Sequence, residues 1–248
     1  MSHAIALAGK GGTGKTTMAG WLIKYLVEKG ETPVLAVDAD ANANLNEVLG
    51  LVVEATLGDA REEMKKGVAT GMTKDVFMEM KLQEAIVEAP GFDLVVMGRP
   101  EGAGCYCAAN TLLTQYLEKL IDNYRFIVMD NEAGMEHLSR LTTNDIETLL
   151  VVSDATRRGI QAASRIVELA DALSLNIARK VMVVNRCNVE ETDAIEKAVS
   201  AYDMELLGMV PEDPEVQRFD LEGKPTVELT PACRAVAAAY AIFDQLIA

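Results

Sequence analysis

The sequence has no apolar run that approaches the roughly 18 residues a membrane-spanning helix needs. It is also poor in basic residues, because 23 lysines and arginines stand against 38 aspartates and glutamates, for a formal net charge of −15. Proteins bind nucleic acids and anionic membranes through lysine and arginine, so this balance argues against both partners. The short apolar N-terminus has no basic leader, and we therefore expect a cytoplasmic protein.

Cysteine is scarce as well, with four residues in a chain of 248. In a reducing cytosol, the close pair Cys105 and Cys107 indicates metal binding or redox chemistry rather than a structural disulfide. Cys187 and Cys233 are interpreted as packed small residues. No segment rich in proline, glycine or serine marks a linker, so we expect one domain over residues 1–248.

Short apolar runs alternate with amphipathic stretches along the whole chain. A continuous apolar run is typical of a strand buried on both faces of a parallel sheet. The pattern predicts an α/β fold with a doubly wound, mainly parallel sheet flanked by helices. The predicted strands are Ala4–Ala8, Val34–Val37, Leu94–Met97, Phe126–Met129, Thr148–Val152, Val181–Val184 and Leu206–Val210, and the clearest helices are Thr16–Lys29, Leu112–Ile121, Arg158–Leu173 and Ala232–Leu246.

Polar residues directly follow several predicted strands, namely Lys10, Asp38, Asp130 and Asn185. Ligands of doubly wound sheets bind at the carboxyl ends of the strands. We therefore expect these side chains to gather at one edge of the sheet.

The segment after the first predicted strand fits the pattern G-x-x-x-x-G-K-[ST]. Its glycines let backbone N–H groups turn inward around phosphate oxygens, and the following helix adds its positive N-terminal end. In such a loop Lys15 reaches the β- and γ-phosphates and the Thr16 hydroxyl binds Mg²⁺. The pattern predicts an ATPase site for ATP or ADP with Mg²⁺, formed by Gly9, Lys10, Gly11, Gly12, Thr13, Gly14, Lys15, Thr16 and Thr17.

The same glycines also fit G-x-G-x-x-G, the dinucleotide fingerprint, and Asp38 supplies the acidic residue after the next strand. Lys15 and Thr16 decide against a dinucleotide, because that motif gives them no role. Asp38 also belongs to a polar cluster, Asp38–Asn42, that is richer than one ribose contact requires.

A second lysine, Lys10, places the loop in the pattern Lys-Gly-Gly-x-Gly-Lys-Thr-Thr. This pattern resembles the deviant Walker A motif of the family that contains MinD, ParA, Mrp and the nitrogenase iron protein. The resemblance implies a P-loop fold and a nucleotide-dependent homodimer. It also implies that Lys10 crosses the interface to act at the nucleotide of the partner.

The same resemblance assigns roles to residues further along the chain. Asp38-Ala39-Asp40 resembles switch I, where Asp40 orients or activates the attacking water and Asp38 lies nearer Mg²⁺. Asp130, which opens the segment Asp130-Asn131-Glu132-Ala133-Gly134, resembles the switch II residue in the Mg²⁺ shell.

Two later segments correspond to the family's adenine site. Asn185, followed by Arg186, takes the place of the adenine-binding residue. The segment from Pro211 to Asp213 resembles the one that closes over the base.

The segment Gly102-Ala103-Gly104-Cys105-Tyr106-Cys107-Ala108-Ala109-Asn110 carries a Cys-x-Cys motif. Two thiolates on one tetrahedral metal lie about 3.8 Å apart, whereas residues i and i+2 of a strand are about 6.6 Å apart. Both therefore bind one metal only from a turn, which the two glycines permit. A two-fold dimer would place four sulfurs at its interface, a set that suits Zn²⁺, or Ni²⁺ in a planar site.

With this motif the chain resembles CooC, the nickel-insertion ATPases that serve carbon monoxide dehydrogenase, and a related accessory protein for acetyl-CoA synthase. The resemblance implies an ATP-dependent metallochaperone that loads or releases nickel as its dimer rearranges, with one of these nickel enzymes as client. Other interpretations stay open: an iron–sulfur scaffold or redox ATPase of the same family, and a nucleotide-gated scaffold without metal.

Overall fold

A computed structural model of the chain describes residues 2–40, 42–67, 71–98, 120–131, 146–173, 175–202 and 204–247. None of the helices in these ranges has both the length and the apolar character needed to cross a membrane. The predicted helix Leu112–Ile121 falls almost wholly outside the described residues, as do Cys105 and Cys107.

The described residues form one eight-stranded sheet with the order β3-β4-β2-β5-β1-β6-β7-β8. Every neighbouring pair is parallel except the edge pair β3–β4, which is antiparallel. The predicted doubly wound, mainly parallel fold is confirmed. The strands are β1 (His3–Ala8), β2 (Val34–Ala39), β3 (Ile86–Ala89), β4 (Phe92–Val96), β5 (Phe126–Asn131), β6 (Ile146–Asp154), β7 (Ile177–Cys187) and β8 (Glu205–Pro211).

The edge strand β3 was not among the predicted strands. It is short and only partly buried, so it lacks the continuous apolar run that marks the central strands. A two-residue connection through Gly91, at φ +88°, joins it to β4.

Several strands extend further than the apolar runs predict. Asp38, Asp130 and Asn185 are residues of β2, β5 and β7 rather than residues that follow them. Backbone pairing continues through these positions, since Asp38 is in register with Asp130 and Asn185 with Asp154.

The helices lie on both faces of the sheet. Side-chain oxygens of Thr56, Thr73, Thr156 and Asp213 cap four of the helix N-termini. The described helices are α1 (Lys15–Glu28), α2 (Leu45–Leu49), α3 (Leu57–Lys66), α4 (Lys74–Glu84), α5 (Arg157–Ala172), α6 (Thr192–Val199), α7 (Pro214–Leu221) and α8 (Arg234–Ile247), with 3₁₀ turns at Val189–Glu191 and Thr226–Glu228.

The sheet separates two apolar layers. In one layer α1 and α8 pack together against the sheet, and Trp21, Leu22 and Phe243 are among its fully buried side chains. The other layer includes Leu57 of α3 and Ile160 of α5. The helix that follows the phosphate loop is thus held along its length by the core.

We expect Phe243→Ala to lower the free energy of unfolding by about 3–5 kcal/mol, because it leaves a cavity in the core. Phe243 is fully buried and packs edge-on against Tyr25, with ring centroids 5.5 Å apart. Urea unfolding measures the change. The matched control is Leu221→Ala, whose side chain is 88% exposed and which should shift stability by less than about 0.5 kcal/mol. Equal losses in the two variants would contradict this packing.

Candidate nucleotide site

The candidate site lies at the carboxyl ends of the parallel strands, around β1. The chain builds the sheet outward from β1 through β2 and β4 on one side and through β6, β7 and β8 on the other. The connections diverge at β1, and a ligand crevice forms at such a point. The loop Gly9–Thr17 emerges there, between β5 and β6.

Two glycines of the loop occupy positions that admit no side chain. A Cβ atom on Gly9 would lie 2.2 Å from the carbonyl oxygen of Val152, and one on Gly14 would lie 2.4 Å from Nδ2 of Asn185. Gly14 also has φ +88°, a conformation that glycine adopts without strain. These contacts bring the loop backbone against β6 and β7.

Hydrogen bonds within the loop set its curvature. The Thr13 hydroxyl donates to the carbonyl oxygen of Lys10 at 2.9 Å, and Nζ of Lys15 donates to the same oxygen at 3.3 Å. Lys15 is buried, whereas Lys10 is exposed. The two lysines therefore differ in place: Lys15 lies within the loop and Lys10 faces outward.

The N-terminus of α1 has backbone N–H groups that can bind an anion. Its N-cap is Gly14, and no side chain caps the helix. The first N–H groups of a helix have no partner within the helix, and they carry its positive dipole end. A phosphate group is a suitable partner for them.

Two buried carboxylates stand side by side next to the loop. Asp130 receives a hydrogen bond from the Thr16 side chain, but its Oδ1 is buried and has no partner among the described residues. Burial raises the pKa of Asp130 to about 7, and the charges of Asp38 and Asp40 add to the rise, while Thr16 and Lys15 oppose it. A cation would supply this partner, since the oxygens of Asp130, Asp38 and Thr16 are the ligand type that Mg²⁺ prefers.

Asp38 is held more firmly than Asp130. Its two oxygens accept hydrogen bonds from the backbone N–H groups of Asp40 at 3.0 Å and Leu45 at 2.9 Å. Burial still raises its pKa to about 6, against the lowering effect of these hydrogen bonds. Asp38 therefore ties the end of β2 to the start of α2 and adds negative charge beside Asp130.

Asp40 lies at the mouth of the site and is partly exposed. Its Oδ1 accepts hydrogen bonds from the backbone N–H and the Nδ2 of Asn42, at 2.8 and 3.0 Å. It shares a cleft of about 990 Å³ with Lys15 and Thr16, so its carboxylate is positioned beside the place where phosphates would bind.

The expected adenine residues border the other end of the loop. Asn185 donates from Nδ2 to the carbonyl oxygen of Thr13 at 2.9 Å, and Arg186 donates from Nη1 to that of Gly12 at 3.1 Å. Both residues line a second cleft together with Pro211. The fold thus brings the predicted base residues of β7 and β8 next to the phosphate loop.

Asp213 lines the same cleft, but its carboxylate has a structural role. Its two oxygens accept hydrogen bonds from the backbone N–H groups of Glu215 at 3.0 Å and Arg234 at 3.1 Å. These hydrogen bonds lower its pKa. Asp213 therefore caps α7 and joins it to the start of α8.

Part of the cleft wall is built by residues that sequence reasoning did not select. Asn44 and Asn46 contribute from the chain after β2, and the one available signal is that they continue the alternate spacing begun by Asn42 of the predicted polar cluster. Further contributors come from the end of α7 and the segment after it, which carry no motif beyond a Gly-Lys-Pro turn; they are Asp220, Gly223, Lys224, Pro225 and Thr226.

The cysteines divide into two groups. Cys187 and Cys233 are buried and carry free thiols, and the Cys187 thiol donates to the carbonyl oxygen of Val210. Within the described ranges, no group of three or more His, Cys, Asp or Glu side chains is arranged to hold a metal. Cys105 and Cys107, and Glu132 to Gly134 of the switch II segment, lie outside these ranges.

We expect Asp130→Asn to raise the melting temperature of the Mg²⁺-free protein at pH 8. The pKa of Asp130 is about 7 in the fold, against 3.8 for an unperturbed aspartate, so its ionisation destabilises the fold progressively as pH rises from about 4 to 7. The gain should amount to about 1 kcal/mol or more at pH 8 and should be smaller at pH 5. Thermal melts at both pH values test this.

The matched control for this experiment is Asp38→Asn. That substitution sets an amide N–H₂ group against backbone donors, because both Asp38 oxygens accept N–H bonds, and it should lower stability. A parent-like or lower melting temperature for Asp130→Asn at pH 8 would contradict the proposed charge burial.

Comparisons with known proteins agree with this geometry. Residues 4–227 match the model of the CobQ/CobB/MinD/ParA nucleotide-binding domain. The chain is 42% identical over 226 residues to an uncharacterised ATP-binding protein of Methanocaldococcus jannaschii, covering 89% of each chain. It is 30% identical over 244 residues to the carbon monoxide dehydrogenase accessory protein CooC of Rhodospirillum rubrum, covering 93% of this chain and 91% of CooC.

Among solved structures, the fold is similar to that of MinD from Pyrococcus horikoshii in complex with Mg-ADP. The TM-score is 0.74 at 25% identity, and the match covers 99% of this chain and 96% of that one. The family match, the P-loop and the doubly wound sheet lead to one conclusion: this chain belongs to the CobQ/CobB/MinD/ParA family of P-loop nucleotide-binding proteins.

Proposed function

We propose that this protein is an ATP-dependent metallochaperone, a nucleotide-gated homodimer that carries Ni²⁺ or Zn²⁺ between the Cys105 and Cys107 pairs of its two subunits. Its task is to insert nickel into carbon monoxide dehydrogenase or a related enzyme such as acetyl-CoA synthase. The observation that carries the proposal is the Cys-x-Cys motif in a chain 30% identical to CooC over 93% of its length.

The nucleotide part of the proposal is based on the geometry of the phosphate loop. Backbone N–H groups of Gly9–Thr17 and the ammonium group of Lys15 bind the phosphates of ATP. Thr16, Asp38 and Asp130 would hold Mg²⁺, which neutralises charge on the phosphates when it is bound. Asp40, held by its hydrogen bonds to Asn42, orients the water that attacks the terminal phosphate.

At the base end of the nucleotide, Asn185, Arg186 and Pro211 border the adenine. Asp213 acts there through its backbone contacts, since they place the start of α7 beside this cleft.

The dimer part of the proposal is based on Lys10. Its side chain is exposed at the rim of the phosphate loop, whereas Lys15 is buried within it. A two-fold axis across this face would bring each Lys10 to the nucleotide of the partner subunit. The nucleotide would then be part of the interface, so its binding and hydrolysis change how the subunits meet.

The metal part of the proposal depends on the same two-fold axis. One subunit offers two thiolates in its Cys-x-Cys motif, too few for a stable site, and a two-fold dimer offers four. Four thiolates bind Zn²⁺ in a tetrahedron and accept Ni²⁺ in a planar arrangement. Rearrangement of the interface after hydrolysis would then change the sulfur set and release the metal to its client.

We expect the double variant Cys105→Ser/Cys107→Ser to lose the bound Ni²⁺ or Zn²⁺ of the parent, while it keeps its ATP hydrolysis. Equilibrium dialysis with each metal, with and without ADP or ATP, measures metal per dimer. The matched control replaces the two buried cysteines, as Cys187→Ala/Cys233→Ala, and should keep the metal.

Parent-level metal in the Ser variant would refute this site assignment. A brown protein with visible absorbance would instead favour an iron–sulfur scaffold or redox ATPase, and absence of metal from the parent under every nucleotide condition would favour a scaffold without metal.

We expect Lys10→Ala to reduce ATP hydrolysis on the order of a hundredfold or more, because a cation supplied across an interface stabilises charge in the transition state. The Lys10→Ala monomer should still bind ADP, whereas Lys15→Ala should lose both ATP hydrolysis and ADP binding. Gel filtration with nucleotide should show a dimer for the parent and a monomer for Lys10→Ala. The control Lys197→Ala changes an exposed lysine on α6 and should behave as the parent. An active, dimeric Lys10→Ala variant would contradict the shared site.

A further inference from the structure

Thr226 is a buried residue whose side chain lacks a hydrogen-bond partner. It opens the 3₁₀ turn Thr226–Glu228 after α7 and is only 4% exposed. Its Oγ1 is buried and makes no hydrogen bond to any residue that the structure describes. A buried hydroxyl without a partner is unfavourable, because it has lost its bonds to water and gained none in return. The fold therefore keeps this group at a cost to its own stability.

The turn that carries this hydroxyl is clamped onto α1. Nε1 of Trp21 donates to the carbonyl oxygen of Thr226 at 3.0 Å. Nζ of Lys24 donates to the carbonyl oxygens of Val227 and Leu229, both at 2.8 Å. Three main-chain carbonyl groups of the turn and the residue after it are thus bonded to side chains of α1, while the hydroxyl takes no part in holding the turn.

The end of α2, which follows the predicted switch I segment, packs against the residue before the turn. A Cβ atom on Gly50, at the end of α2, would lie 2.8 Å from Cγ of Pro225. The segment is therefore enclosed between α1 and α2. A ligand beside Thr226 would supply the partner that its hydroxyl lacks.

Thr226 is placed where such a ligand would lie. It borders the 990 Å³ cleft that also contains Lys15 and Thr16. It also borders the second cleft, together with Asn185 and Pro211. The residue thus stands where the phosphate end of the site meets the end assigned to the base.

We propose that the Thr226 hydroxyl is a base-binding group, which hydrogen-bonds the purine of the bound nucleotide and takes part in selecting it. Trp21 and Lys24 are positioning residues that hold it there. The proposal rests on the nucleotide site proposed above. A hydroxyl both donates and accepts, so it matches the ring nitrogens of a purine and the exocyclic amine of adenine.

The decisive variant is Thr226→Val, which replaces the hydroxyl with a methyl group of similar size. If the hydroxyl binds the base, the variant should bind ADP and 2′-deoxy-ADP about tenfold more weakly, the usual value of one such hydrogen bond. Its affinity for inorganic tripolyphosphate should not change, and its ligand-free melting temperature should equal or exceed that of the parent. Isothermal titration calorimetry with Mg²⁺ and thermal melts measure these quantities.

Two further variants complete the experiment. Thr230→Val removes an exposed hydroxyl of the same segment that borders neither cleft, and it should bind all three ligands as the parent does. Trp21→Phe removes the N–H that holds the turn together with part of the buried ring, so it should weaken the binding of ADP while sparing that of tripolyphosphate. Because Trp21 is the one tryptophan of the chain, its fluorescence in the parent should also change on binding ADP.

Three outcomes would overturn the proposal. One is ADP affinity within twofold of the parent in Thr226→Val. Another is a loss seen with ADP but absent with 2′-deoxy-ADP, which would assign the hydroxyl to the ribose. The third is an equal loss with tripolyphosphate, which would assign it to the phosphates. Failure of the nucleotide site itself looks different, since Lys15→Ala would then leave the binding of both ADP and tripolyphosphate unchanged.

Discussion

The site depends on two acidic side chains buried side by side, Asp38 of β2 and Asp130 of β5. Parallel pairing of their strands places them in register, and burial raises the pKa of each. Thr16 and Lys15 offset only part of this unfavourable charge. Each carboxylate destabilises the fold when it is ionised, and a cation bound beside the pair would offset that loss of stability.

The phosphate loop reaches this charge pair because other strands hold it there. Gly9 lies against the backbone of β6, and Gly14 lies against Asn185 of β7. Asn185 and Arg186 in turn bond to loop carbonyls. The phosphate end and the base end of the site are thus physically connected. A nucleotide that occupies both would contact β1, β2, β5 and β7, as well as the face on which Lys10 is exposed.

Much of this architecture is predictable from the chain. The central strands were found because an apolar run buried on both faces is a local signal, and the phosphate loop was found because its glycines, Lys15 and Thr16 are contiguous. Strand ends were less accurate, since Asp38 and Asp130 continue the backbone pairing although their side chains are polar. The edge strand β3 was not predicted because its residues are only partly buried and, in the described part of the chain, no strand pairs with its outer side.

The sequence by itself determined the nucleotide-binding family, the parallel sheet and the acidic character of the protein, because motif, apolar run and charge are each read from neighbouring residues or from composition. Only the tertiary structure decided what individual side chains do. The structure shows that Asp213 caps α7 and joins it to α8. It also shows that the Thr226 hydroxyl lacks a partner among the described residues and lies beside the residues predicted to bind the base. Such roles depend on contacts between residues far apart in the chain, such as Trp21 with Thr226, and no local pattern encodes them.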